Sequence, residues 1–211
     1  MSTQAVPPPD ESLLARAARR RTGDRLAAAE DEVRRLLDVG LELMRENPGD
    51  SPRIADIVRR AGVSNDAFYR AFRSKDDLMA AIADDGSRRL VDYLRHQRDK
   101  QSDPAAQVEA VARGVLAQAG DREVAVATRA VLRNVGRAPR SGGGALEVRS
   151  RIADLLEPAL TALGSPDPVR DALMASCGMF ALMEQFLWEE REPDEADVDH
   201  LVGWVTAAAG R

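Results

Sequence analysis

Cysteine, histidine and lysine are almost missing from these 211 residues, and each scarcity closes off a class of function. A single cysteine, Cys177, excludes an intrachain disulfide framework. It lies in an apolar run and is expected to be a small buried core residue. The two histidines, His96 and His200, are far apart and have no cysteine or histidine at ligand spacing, so no metal site and no cofactor are expected. Lys75 and Lys100 are the only lysines, and every other basic side chain is arginine. Aromatic residues make up 4% of the chain. The longest uncharged apolar run, Ala172 to Met183, is too short to span a bilayer, and the first residues show no secretory pattern. A soluble, cytoplasmic protein is expected. There is no nucleophile–histidine–acid set, and the glycines at 142–144 are not followed by Lys and Ser/Thr as in a phosphate loop. The pair Glu189-Glu190 reads as solvated charge. An enzyme is not expected.

What remains is Ala, Leu, Arg and acid in helical periodicity, with no strand pattern and no repeat. Residues 1–25 read as a flexible basic extension: Pro7-Pro8-Pro9 at its start, then Arg16, Arg19, Arg20, Arg21 and Arg25. It reads as a fraying tail giving weak electrostatic help, with an arm that lies in a minor groove or on phosphates as the rival reading. A first helix is predicted over about residues 27–46 with the stripe Val33, Leu36, Leu37, Gly40, Leu41, Met44. Ser51 is expected to cap the second helix, with Pro52 at its first position. Further helices are predicted over about 65–72, 75–100, 104–118, 122–135, 145–163, 168–190 and 195–209, with a loop at 137–144.

Residues 54–82 carry the most information. Ile54, Ile57, Val58 and Ala61 give one helix face an apolar stripe, and Gly62 follows where a left-handed cap suits glycine. Ser64 can cap the next short helix, whose Phe68 and Phe72 are spaced to pack inward. Asn65, Asp66, Ala67, Tyr69, Arg70 and Arg73 are then expected to point outward. Ser74 and Asp77 form a capping-box variant that starts the following helix. A short helix with an apolar back and a polar, basic front suits the major groove. Charge agrees: residues 52–75 hold six basic and two acidic side chains, although the chain as a whole is −5. Residues 102–211 carry 11 Lys/Arg against 17 Asp/Glu, so the acid is concentrated away from the motif.

The stretch resembles the TetR family of bacterial helix-turn-helix regulators. Ile57, Ala61-Gly62-Val63-Ser64, Tyr69, Phe72, Lys75 and Leu78 follow the family pattern, and Leu36 to Met44 resembles its first helix. The chain departs from the pattern in four places. Arg53 stands where a threonine is usual, Val58 for alanine, Asp66 for glycine, and Ala71 for tyrosine or histidine. The resemblance implies an all-α homodimer with an N-terminal three-helix DNA-binding domain, residues 26–75, and a C-terminal helical regulatory and dimerisation domain, residues 76–211. It implies a repressor released from a palindromic operator by a small molecule. Expected DNA contacts are Tyr69 and Lys75 to phosphate, Asn65, Asp66, Ala67 and Arg70 to base edges, and Arg53 and Ser64 to the backbone.

The helix at 168–190 is apolar on nearly all sides and so should be covered all round. Met179, Leu182 and Phe186, with Leu201, Val202, Trp204 and Val205 of the last helix, are expected to meet a second copy. The rival reading is a central helix of a single chain. Periodicity and the resemblance together place Leu116, Leu132, Met174, Phe180 and Met183 on the wall of a pocket for a hydrophobic effector, with plain core filling as the rival reading. An effector-independent architectural DNA-binding protein is the alternative function.

Overall fold

The structure is a computed structural model that describes residues 13–47, 50–135 and 144–209. Among them every regular element is a helix: α1 (Leu13–Glu46), α2 (Ile54–Ala61), α3 (Asn65–Ala71), α4 (Lys75–Arg98), α5 (Pro104–Gly120), α6 (Arg122–Val135), α7 (Gly144–Ala162), α8 (Pro168–Glu189) and α9 (Glu195–Ala209). The expected loop at 137–144 falls almost wholly outside the described residues. No helix among them is long and apolar enough to cross a membrane.

Two apolar cores organise the chain. The head core joins Leu36 and Met44 of α1, Ile57, Val58 and Ala61 of α2, Phe68 and Phe72 around α3, and Leu78, Met79 and Ile82 of α4. The body core is built from α5, α7, α8 and α9, with Val91 and Leu94 from the far end of α4. So α4 enters both cores. α6 does the same, since Ala125 is buried in the body core and Ala130 in the head core. Two glycines permit close helix crossings. A Cβ at Gly40 would come within 2.7 Å of Ile82 Cδ1, and one at Gly114 would collide with Leu94.

Three features depart from the sequence reading. α1 begins at Leu13, so the second half of the expected flexible extension is helical. Its residues 19–31 are all exposed, which is why no apolar stripe announced them. α2 is capped by Arg53 rather than by Ser51. The Arg53 backbone is extended, and its carbonyl accepts from the N–H groups of Asp56 at 3.0 Å and Ile57 at 3.1 Å. Pro52 therefore precedes the helix. Cys177 is exposed, because it lies on the outer face of α8.

Candidate nucleic-acid interface

The turn between α2 and α3 is fixed by backbone geometry that few sequences satisfy. Gly62 has φ +66°, and Val63 N–H donates to Val58 O at 3.1 Å while Gly62 N–H donates to Arg59 O at 3.4 Å. These two bonds form the Schellman arrangement that ends a helix on a left-handed residue. Ser64 then opens α3, its Oγ accepting from Ala67 N–H at 3.1 Å. Beneath the seven-residue helix Phe68 is fully buried, with Phe72 tilted against it at 5.8 Å between ring centres. The Tyr69 ring meets Phe68 edge-on at 5.2 Å and remains 59% exposed, so its hydroxyl end is presented outward.

Phe72 leaves α3 in extended backbone, and Ser74 caps α4 by accepting from Asp77 N–H at 3.1 Å. The Asp77 carboxylate answers by accepting from Arg73 N–H at 3.0 Å, one residue before the cap. This reciprocal pair sets the corner that holds Lys75, the first residue of α4, beside the exposed face of α3.

The outer face thus presents Ser64, Asn65, Asp66, Tyr69 and Arg70, with exposed Arg53 at the start of α2 and half-buried Lys75 at the start of α4. Ala67 does not belong to it. Its side chain is buried beneath α3, since it lies on the same helical side as Phe68, so the expectation that it faces base edges is corrected. Arg73 is exposed at the α3–α4 corner and joins the basic rim.

Not every cation of the motif is available to a ligand. Arg60 forks onto Glu46 of α1 with N–O distances of 2.7 and 2.6 Å, and lies 3.4 Å from Glu42. That hydrogen bond holds the Glu46 carboxyl below its ordinary pKa and raises that of Arg60. Arg59 pairs with Asp56 at 2.7 Å. Arg60 thus ties α2 to α1 while Arg59 is paired within α2, roles that charge counting could not distinguish from DNA contact. Arg70 reaches Glu32 of α1 at 3.7 Å, so the reading surface touches α1 at its rim.

Residues 36–82, which include this surface, match the model of the bacterial regulatory proteins of the tetR family. That stretch belongs to the TetR family. Solved structures share the fold over most of the chain. A transcriptional regulator of Rhodococcus sp. RHA1 superposes with TM-score 0.63 at 19% identity, over 83% of this chain and 94% of that one. A TetR-family transcriptional regulator of Streptomyces coelicolor does so with TM-score 0.60 at 23% identity, over 86% and 97%. The regulator FadR of Bacillus subtilis, solved in complex with stearoyl-CoA, does so with TM-score 0.56 at 15% identity, over 84% and 98%. No curated protein matches the sequence significantly.

The residues expected around an effector and at a dimer contact are sorted differently from the sequence reading. Leu116, Phe180 and Met183 are buried in the body core, and Leu132 packs against its edge. Met174 is 53% exposed on the opposite side of α8, so it is no part of an internal wall. Met179, Phe186, Leu201 and Val205 are buried within their own chain, and Leu182 and Val202 pack against that same core. The first four are therefore core residues rather than contacts to a second copy. Trp204, also expected at that contact, is exposed, and Leu173, Met174, Cys177 and Trp188 share the outer face of α8 and α9 with it. A helix apolar on all sides gives no signal of which side meets its own chain.

Proposed function

We propose that the protein is a ligand-responsive transcriptional repressor that binds a palindromic operator as a homodimer and leaves it when a small hydrophobic effector enters the body. The observation that carries this reading is α3 itself: a short helix seated on buried Phe68, capped by Ser64, and showing Asn65, Asp66, Tyr69 and Arg70 to solvent between Arg53 and Lys75. In the bound state Arg70 and Asn65 meet base edges. Asp66 accepts from a cytosine amino group. Tyr69, Lys75, Arg73 and Arg53 hold phosphates and set the register.

The dimer follows from the outer face of α8 and α9. Leu173 is 43%, Met174 53%, Trp188 46% and Trp204 45% exposed in the single chain. Trp204 lies across Gly178, where an added Cβ would be 3.9 Å from its Cζ3, so the two helices offer one continuous apolar surface. A second copy covering it by two-fold symmetry would place two reading heads on successive half-sites, about 34–36 Å apart.

Release works through the helices that enter both cores. An effector lodged among Leu116, Leu132, Phe180 and Met183 must push apart side chains now in contact, and α4 and α6 carry that change to the head. The ligand favours a body shape whose heads no longer fit successive grooves, and shifts the population toward it. Arg149 lies 5.5 Å over the Phe180 ring and has a buried Nε without an acceptor, which favours an amphipathic effector with an oxygen at one end. The stearoyl-CoA complex of FadR supports the same chemical class.

The test is a thermal-shift screen of hydrophobic and fatty-acyl molecules, followed by operator titration with each stabilising compound. Linkage requires operator DNA to weaken ligand binding by the factor that ligand weakens DNA binding. A stabilising compound that leaves operator affinity unchanged would favour the effector-independent DNA-binding protein instead.

A further inference from the structure

Helix α6 faces two ways. Ala130 is fully buried in the head core and Val131 packs against it, while Glu123 reaches Arg45 of α1 at 3.9 Å. Arg129 and Arg133, about one turn apart on another side, both end on the last turn of α8. The Arg129 guanidinium donates to Leu187 O at 3.2 Å and pairs with the Glu190 carboxylate at 2.9 Å. A cation suits that place, because the last carbonyls of a helix have no partner within it. Arg133 lies 5.3 Å over the Trp188 ring. Elsewhere α6 packs chiefly on α1, α4 and α5 and touches α8 little, so the two arginines make much of this joint.

The α8 end of the joint has two further features. Glu190 is the one non-glycine among the described residues with a positive φ, 55°. Glycine is the usual residue for such a cap, because a Cβ there is strained. Its partner Arg129 accounts for a glutamate in that place. Trp188 shares its side of α8 with Leu173, Met174 and Cys177, so Arg133 abuts the apolar face offered to a second copy.

We propose that Arg129 and Arg133 are positioning residues that fasten α6, and through it the head, to the face by which two copies meet, and so fix the separation of the two reading helices. The inference rests on the dimeric DNA-binding reading above. Apolar packing has no preferred direction. A guanidinium held by a carbonyl and a carboxylate fixes both distance and angle. A second copy over Trp188 would also shield the Arg133 contact from water, and a cation over an aromatic face is stronger when desolvated. Assembly and head position are thereby joined at the end of α8.

The experiment uses the full-length chain and a palindromic duplex that it selects from a random-sequence library. The duplex is remade with one base pair inserted between its half-sites, which turns one half-site against the other by about 34–36°. Affinity for both duplexes and for a single half-site, sedimentation and melting are measured for wild type, Arg129→Gln/Arg133→Gln and Glu190→Gly. Glutamine keeps helix propensity. Wild type should prefer its own spacing by about ten-fold or more, and each variant by about three-fold or less. Both variants should stay dimeric and bind a single half-site as wild type does. Glu190→Gly should melt close to wild type, because glycine relieves the left-handed backbone while the pair lost is mostly exposed on the glutamate side. Its loss of spacing preference is then no loss of fold, and this variant decides if the double variant does not fold. A wild-type spacing preference kept by Glu190→Gly or by a folded double variant would overturn the proposal, as would a wild type indifferent to the inserted base pair. A folded variant that is monomeric would overturn it too, since the arginines would then build the contact rather than position the heads. Failure of wild type to enrich any palindrome would overturn the dimeric DNA-binding reading and this inference together.

Discussion

Arg70 on the reading helix and Glu32 on α1 stand 3.7 Å apart, both partly exposed, so the side chain expected to read a base is held by a carboxylate of another helix. Such a pair adds little to stability in water. Its consequence lies in binding, because DNA must take Arg70 from Glu32. Arg70→Ala should cost about 1–3 kcal/mol at the operator and relax base preference at one position. Glu32→Gln should strengthen binding to non-operator DNA and narrow the gap to the operator. A double-mutant cycle on affinity separates the two effects of Glu32. Coupling of about 0.5 kcal/mol or more is expected, whereas an identical Glu32→Gln effect in the Arg70→Ala background would mean only general repulsion.

Lys75 and Arg73 sit at the corner set by Ser74 and Asp77 and are assigned to phosphate. Alanine at either should weaken all sequences to a similar degree and lower the salt slope by about one. Changed base preference in either variant would contradict the assignment.

How much of this was legible depended on how local the signal is. The Gly62 cap, the Ser64 cap and the Phe68/Phe72 base are set by neighbours within five residues, and each is found where the sequence placed it. Helices α6 and α9 begin and end at the expected residues. Arg60 and Glu46 could not be paired from sequence, because they are fourteen positions apart on different helices. Met174 and Met179 look alike in a string, yet one is exposed and the other fully buried. Only tertiary packing distinguishes the inner from the outer side of α8. The start of α1 was missed for a related reason: a helix that buries nothing leaves no periodicity to read.

The dimer can be followed through the chain's one thiol. Cys177 is exposed on the proposed contact face, next in the chain to Gly178, across which Trp204 lies. Its reaction with a disulfide reagent should be slow at micromolar protein and speed up on dilution. Trp204→Asp should give a 22.9 kDa monomer by sedimentation with a fast thiol at any concentration. A wild-type thiol that reacts at one rate across the dilution series would argue that this face is not the contact.

Acid should loosen the fold through two exposed carboxylates, Glu46 and Glu195, and the half-buried Asp197. Hydrogen bonds from Arg60, Arg113 and Arg191 hold Glu46, Glu195 and Asp197 below their ordinary values. A depressed folded-state pKa stabilises above the unfolded value and is lost as pH falls through the folded one. The contribution of these pairs to the melting temperature should therefore be full and independent of pH near neutrality, and the melting temperature should fall below about pH 4.3. Arg113→Ala releases Glu195, so the decline should become shallower. An unchanged acid limb in that variant would show that the α5–α9 pair contributes nothing to it.

The most direct test of the account is selection of duplex DNA from a random library by the full-length protein, with affinities then measured for wild type and for Tyr69→Ala/Arg70→Ala/Lys75→Ala. Wild type should enrich a palindrome with half-sites about one helical turn or a small multiple apart, and the triple variant should lose it while keeping its helical content. Equal binding by the two proteins, or no enriched sequence with wild type, would contradict the claim that α3 reads DNA.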